Sequence, residues 1–171
     1  MARNIEIKAR IASVEALAPR VAALAQQGPI PILQDDTFFR CANGRLKLRS
    51  FSDTDGELIF YRRADQAGPK ESFYVRSPTA DPASLREALT LAHGQAGRVR
   101  KHRTLYLVGR TRVHLDRVEG LGDFLELEVV LAHDEPAQAG VAEAHALMAR
   151  LDVSPQQLVE GAYVDLLRQL R

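Results

Sequence analysis

The stretch Arg112–Leu131, RVHLDRVEGLGDFLELEVVL, decides how the chain is read. At a period of two, His114 and Asp116 share one face of a first strand while Val113 and Leu115 share the other. Glu119-Gly120-Leu121-Gly122 is turn-forming. The segment beyond it places Glu126 and Glu128 on one face and Leu125, Leu127 and Val129 on the opposite one. The two strands form a hairpin whose leucine face must pack on something apolar. Its other face gathers three carboxylates, which repel one another unless a cation joins them. A divalent metal bound through oxygen is the simplest such cation; three solvated surface acids are the alternative.

The same division into a charged face and an aliphatic face recurs outward from this hairpin. Glu6, Lys8 and Arg10 alternate with Ile5, Ile7, Ala9 and Ile11, and Arg45, Lys47 and Arg49 alternate with Leu46 and Leu48. Further charged faces are Lys70/Ser72/Arg76 and Lys101/Arg103. The strands are expected over about 4–11, 36–41, 45–49, 57–63, 70–76, 99–108 and 110–118, with turns at Asn43-Gly44 and at 53–56 and a tight join at Gly109. Ser13 caps a helix expected over 14–27, which Pro19 should kink or split and Gly28-Pro29 should end. Asp81-Pro82 opens a second helix running to about Ala92, and Asp134 is expected to cap a third over 136–151. Ser154-Pro155-Gln156-Gln157 reads as a capping box before a last helical segment.

With 171 residues, 46% hydrophobic and 26% charged, the chain suits a single domain spanning 1–171 with a real core. Twenty-three basic and 22 acidic residues leave a net charge of +1, which argues against a general nucleic-acid or membrane binder. The single Cys41 excludes an internal disulfide, and no Cys/His cluster offers a zinc site. MARNIEIKAR has no signal-peptide pattern, so a cytoplasmic location is expected. Any anion site must therefore come from local sorting of charge, and the strands show such sorting. Several carry only cations, while the hairpin supplies the acids.

An open sheet with its charged face in water would show this pattern, and so would a closed barrel with a polar lumen and helices outside. The sorting of sign by strand favours residues that converge on a ligand. Phosphate oxygens suit the Lys and Arg side chains, and Mg²⁺ or Mn²⁺ would join the acids to the same polyphosphate. There is no G-x-x-x-x-G-K-[ST] loop. His102 and His114 read as polar strand residues.

Glu6-Ile7-Lys8, the Arg/Lys strands and LD-x-V-x-GLG-x-F-x-E-x-E over Leu115–Glu128 resemble the CYTH superfamily, the triphosphate tunnel metalloenzymes, in its class IV adenylyl cyclase-like branch. The resemblance spans nearly the whole chain. It implies an α+β fold: a closed eight-stranded antiparallel β-barrel forming a tunnel, with helices packed outside. It also implies Mg²⁺ or Mn²⁺ and a triphosphate-containing small molecule as substrate, with no nucleic acid or membrane partner, in a monomer or homodimer. Glu6, Asp116, Glu126 and Glu128 match metal-binding positions. Lys8, Lys47, Arg49, Arg63, Lys101 and Arg103 match phosphate-binding positions, as does Lys70 by a looser alignment. Lys8 and Glu6 are the residues expected to take part in catalysis. The first Glu of the family's E-x-E-x-K signature is Asn4 here, which offers a neutral oxygen. The tyrosine that some thiamine triphosphatases pair with the lysine is missing from Asp36-Thr37-Phe38-Phe39. The activities implied are hydrolysis of a terminal phosphoanhydride, favoured because it demands less of the site, or cyclisation of ATP to cyclic AMP and pyrophosphate. A non-catalytic polyphosphate- or nucleotide-binding module is the third option.

Overall fold

A computed structural model describes residues 2–171; Met1, the first residue of the single-domain reading, lies outside them. Eight strands, β1 (Ala2–Arg10), β2 (Gln27–Phe39), β3 (Arg45–Ser52), β4 (Asp55–Arg63), β5 (Lys70–Thr79), β6 (Gln95–Val108), β7 (Thr111–Val118) and β8 (Gly122–Val130), close into a barrel in the order β1-β5-β4-β3-β2-β6-β7-β8. Every pairing is antiparallel. The helices are α1 (Val14–Leu24), α2 (Pro82–His93), α3 (Ala137–Arg150) and α4 (Tyr163–Gln169), with one 3₁₀ turn at Pro155–Gln157. Closure therefore replaces the open-sheet alternative, and the charged faces point inward.

The aliphatic faces supply the reason. Ile5, Ile7, Ala9, Val113, Leu115, Leu125, Leu127 and Val129 are all buried on the outside of β1, β7 and β8, beneath Val14 and Val21 of α1 and Ala144, Leu147 and Met148 of α3. Each large aliphatic buried this way contributes about 1.5–3 kcal/mol. A one-residue slip of any of these strands would put leucines in the lumen and charges under the helices, so the register is strongly specified. Gly140 lets α3 pack tightly on β1. A Cβ there would stand 2.5 Å from Ile5 Cγ1 and 2.8 Å from Leu131 Cδ2. Gly140→Ala, which in an exposed helix would gain about 0.5–1 kcal/mol, is expected here to cost about 1–3 kcal/mol through overpacking. A urea-denaturation midpoint that did not fall would show that α3 can shift away from β1.

Local expectations fare unevenly. Ser13 caps α1, accepting from Ala16 N at 3.2 Å, and Asp81 caps α2, accepting from Ser84 N at 3.1 Å. Pro19 sits inside α1 without splitting it, and the helix ends at Leu24, short of Gln27. Gly28-Pro29 does not separate a helix from a loop but lies in β2, which starts at Gln27 rather than Asp36. Among the described residues, 27–34 pair only with β6, since β3 joins at Asp35, so these prolines lie where one strand edge has no partner among them. Asp134 does not cap α3. It has φ 61°, and Pro136 holds the cap position with no side-chain bond. Glu135 instead folds back to accept from Ala132 N at 2.7 Å and from Arg110 Nη1 at 2.6 Å. The Gln157 side chain closes its turn by accepting from Ser154 N at 2.9 Å, but α4 starts separately at Tyr163.

The segment after the 3₁₀ turn seals one end of the barrel. Leu158 bridges to Ala9, and Val159 N donates to Lys8 O at 3.0 Å. Ala162, Tyr163 and Val164 then pack with Phe38, Val99, Val118 and Phe124 in a second apolar cluster. Arg45 fastens α4 to β3 through a bidentate pair with Asp165 at 2.6 and 3.0 Å. Gly97 leaves room for this closure, since a Cβ there would lie 2.3 Å from Val164 Cγ2. The lumen is a cup with an apolar floor.

Candidate functional site

The inward faces of all eight strands put eight cations (Lys8, Lys47, Arg49, Arg63, Arg76, Lys101, Arg103, Arg112) and five carboxylates (Glu6, Asp36, Glu57, Glu126, Glu128) on the wall of one cavity. With His114 neutral, the difference is +3. One divalent ion would raise it to +5, about the charge of a triphosphate that carries roughly one negative charge per phosphate and up to two at a free end. Arg76, half exposed, marks the end that meets solvent.

Each cation is matched to an acid, in most cases on the neighbouring strand. Asp36 accepts from Lys47 Nζ at 3.0 Å and from Arg49 Nε and Nη2, both at 2.8 Å. Burial pushes the Asp36 carboxyl up, but the two cations outweigh it and hold it far below the usual range. Arg103 makes a bidentate pair with Asp116, both bonds 2.7 Å, and also reaches Glu126 Oε2 at 2.8 Å. Lys101 stands 3.6 Å from Asp116. Arg63 donates to Glu6 at 2.9 Å, and Arg112 lies 2.9 Å from Glu128 Oε2. Lys8 is 3.5 Å from Glu126, donates to Gly161 O at 3.1 Å, and sits 4.0 Å over the ring of Tyr163. Burial lowers Lys8 to about 7 and Lys47 to about 8, with neighbouring cations adding to the shift.

Of the residues singled out in the sequence, Glu6, Lys8, Lys47, Arg49, Arg63, Lys101, Arg103, Glu126 and Glu128 line this cavity together. Lys70 does not. It is at the start of β5 and donates to Gln66 O at 2.8 Å. Asp116 has no exposure and lies behind the cavity wall, where it accepts from Arg103 and from Tyr163 Oη at 2.9 Å. Asn4 is buried on the wall, its Oδ1 without a partner among the described residues. His102 faces outward, as its place between Lys101 and Arg103 requires, whereas His114 faces inward.

Sequence reading passed over four contributors. Arg112 continues the His114/Asp116 face by one more step of two, and the same alternation could have found it. Asp36 lies on the Phe38 face of β2, but its pairing with Lys47 and Arg49 depends on β3 register. Tyr163 comes from a C-terminal segment 47 residues from Asp116, with no local signal. His114 had the signal of shared face but was read as inert. It stands opposite Glu126 across the β7–β8 ladder. Ligand atoms of His114, Glu126 and Glu128 lie within 4.8 Å of one another, which fits a divalent cation shared between β7 and β8. The buried His114 Nδ1 has no hydrogen-bond partner among the described residues, an orphan that such an ion would satisfy.

Comparisons with known proteins agree with this geometry. Residues 2–163 match the family model of the CYTH domain. Adenylate cyclase CyaB of Aeromonas hydrophila is 26% identical over 176 residues, covering 97% of this chain and 89% of that protein. The solved structure of a Pyrococcus horikoshii protein superposes with a TM-score of 0.84 at 23% identity, covering 96% of this chain and 99% of that one. A Hippeastrum protein with a dominant triphosphatase activity superposes with a TM-score of 0.68 at 19% identity, covering 98% of this chain and 96% of that one.

Proposed function

The chain belongs to the CYTH domain family, whose members are metal-dependent triphosphatases or adenylate cyclases, and we propose that it hydrolyses the terminal phosphoanhydride of a triphosphate. The observation that carries this reading is the sealed apolar floor with a ring of lysines on the wall above it. With Tyr163 and Ala162 closing one end, a chain of phosphates enters only from the other, and its terminal phosphoryl group goes deepest, toward Lys8, Lys47 and Lys101. Phe51 and Ile32, on the wall away from α4, are left for any organic group.

Within the cup the five acids hold the more numerous cations in ion pairs. Binding exchanges partners: Lys47, Arg49, Arg63, Lys101 and Arg103 turn to phosphate oxygens, while Glu6, Glu126 and Glu128 are released toward a metal. Bound there, Mg²⁺ or Mn²⁺ would supply Lewis-acid polarisation of a phosphoryl oxygen. Arg103 and Lys101 hold the oxygens on which charge grows, in a site that costs no reorientation of water. Lys8, lowered to about 7, both accepts and returns a proton near neutrality, which suits it to take a proton from the attacking water and return it to the phosphate that leaves.

The similarity to adenylate cyclase CyaB supports cyclisation as the second reading, with the 3′-hydroxyl of ATP attacking the α-phosphorus. A product assay separates the two. With Mn²⁺ or Mg²⁺, tripolyphosphate and ATP are expected to release inorganic phosphate, without cyclic AMP. Cyclic AMP and pyrophosphate from ATP would reverse the assignment. Tight binding without turnover, unaffected by metal, would replace both with a binding module.

The lysines give a pH signature. Lys47 sits at about 8 in the free cup, and a phosphate beside it favours its charged form. Near pH 8, tripolyphosphate binding is therefore expected to draw roughly half a proton onto Lys47. Affinity should fall as pH rises further and the free lysine loses its charge. Titration calorimetry in buffers of differing ionisation enthalpy measures the uptake, and a binding heat independent of buffer would remove Lys47 from the phosphate site.

A further inference from the structure

Resting on the reading of the cup as a metal-dependent triphosphate site, we propose that His114 is a direct metal ligand beside Glu126 and Glu128, and that this imidazole makes the site select Mn²⁺ over Mg²⁺.

The placement comes from the β7–β8 ladder. His114 is directly opposite Glu126, and Glu128 follows two residues along the same face, so the three side chains form one inward-facing cluster on adjacent strands. His114 Nδ1 stands 3.9 Å from Glu126 Oε2 and 3.8 Å from Glu128 Oε1. These separations are too long for hydrogen bonds. They are right for two atoms that share an ion, because ligands each about 2.0–2.2 Å from a first-row metal stand roughly 3–4.3 Å from one another.

The surroundings hold the carboxylates in place. Arg112 occupies Glu128 Oε2, which leaves Oε1 turned toward the imidazole. Arg103 donates to Glu126 Oε2 at 2.8 Å, which orients the same oxygen that faces His114, and this bond is one of those exchanged when an ion binds. Such outer partners orient metal ligands and are usual around built sites. His114 itself is only 5% exposed and sits on the cavity wall. Its Nδ1 is a buried polar atom without a partner among the described residues, an arrangement that costs stability unless something supplies the missing bond.

The chemistry of the donor set sets the preference. Mg²⁺ requires hard oxygen ligands and keeps its waters, so a neutral nitrogen adds little to its binding. First-row transition ions gain more from an imidazole nitrogen than Mg²⁺ does, and Mn²⁺, though the weakest-binding of that series, shares this gain. Asn4 on the β1 face works in the same direction. A neutral amide there removes one of the charged oxygens that Mg²⁺ would favour, and leaves the β7–β8 cluster as the stronger half of the site.

The test is Mn²⁺ binding to the full chain without substrate, read by electron paramagnetic resonance with isotope-labelled histidine, together with displacement by Mg²⁺. Nitrogen coupling to the bound Mn²⁺ is expected in the unaltered protein. Mg²⁺ should need at least about tenfold higher concentration to displace it, and His114→Gln should weaken Mn²⁺ about 10–100-fold while changing Mg²⁺ affinity little. Mn²⁺ bound without nitrogen coupling, or no Mn²⁺ binding at all, would overturn the inference, and neither result needs the variant to fold. Turnover separates this inference from the functional reading on which it rests. Active protein with oxygen-only Mn²⁺ ligation would defeat the role of His114 alone. Nitrogen-coupled Mn²⁺ without turnover of tripolyphosphate or ATP would defeat the enzymatic assignment alone.

Discussion

Glu126→Gln is expected to lower metal-dependent turnover of a triphosphate by about 10²–10³-fold, the range seen when one preorganised electrostatic partner of a reaction is removed. Glutamine keeps the shape of the side chain and an oxygen that can still accept from Arg103, now 2.8 Å away. It removes the charge that stands 3.5 Å from Lys8 and opposite His114. Stability should change by no more than about 1 kcal/mol, because two effects offset each other. Arg103 loses one carboxylate but keeps its bidentate pair with Asp116, and Asp116 is freed from the repulsion of a neighbouring acid. The loss should therefore appear as weaker metal dependence in a protein that unfolds normally. Turnover measured across a Mn²⁺ titration, beside a urea-denaturation curve, checks both halves. Full turnover at ordinary metal concentrations would remove Glu126 from the metal site.

The contrast between Glu126 and Asp116 shows what sequence alone could carry. Strict alternation in β1, β3, β7 and β8 told which side chains share a face, and the aliphatic partners of each face demanded helices on one side only. That was enough to bring nine of the candidate residues into one cavity. Alternation does not say how deep along a strand a residue lies or what crosses the barrel to meet it. Asp116 shares a face with His114, yet Tyr163 and Arg103 enclose it at the level of the floor. Lys70 begins its strand, where the adjacent loop captures it through Gln66. The floor itself was invisible. Gly161, Ala162 and Tyr163 carry no periodic pattern, and their role depends on a 3₁₀ turn that brings Leu158 alongside Ala9. The prolines of β2 misled for a related reason, since whether a proline is tolerated in a strand depends on which edge has a neighbour.

Asp116→Ala should fail in a different way, by losing stability whether or not metal is present. The carboxylate has no exposure, accepts two 2.7 Å bonds from Arg103 and one of 2.9 Å from Tyr163, and lies 3.6 Å from Lys101. Burial pushes its pKa up, but Arg103 and Lys101 prevail and hold it at about 2. Truncation leaves a buried guanidinium, a buried ammonium and a buried phenol without their shared acceptor, a loss expected to cost about 3–5 kcal/mol. The same depressed pKa fixes the sign of an acid effect. A carboxyl that titrates near 2 when folded and near 3.8 when unfolded stabilises the fold fully above pH 4, and that contribution is lost as pH falls toward 2. It amounts to about 2 kcal/mol. The unaltered protein should therefore lose stability over this window, and Asp116→Ala, already weaker at neutral pH, should lose correspondingly less. Urea-denaturation midpoints at neutral and acid pH, with Mn²⁺ and with a chelator, make the comparison. If Asp116 served chiefly as a metal ligand, its removal would change the midpoint only when Mn²⁺ is present. A chelator-independent drop would instead identify it as the post on which Arg103 and the tyrosine floor are mounted.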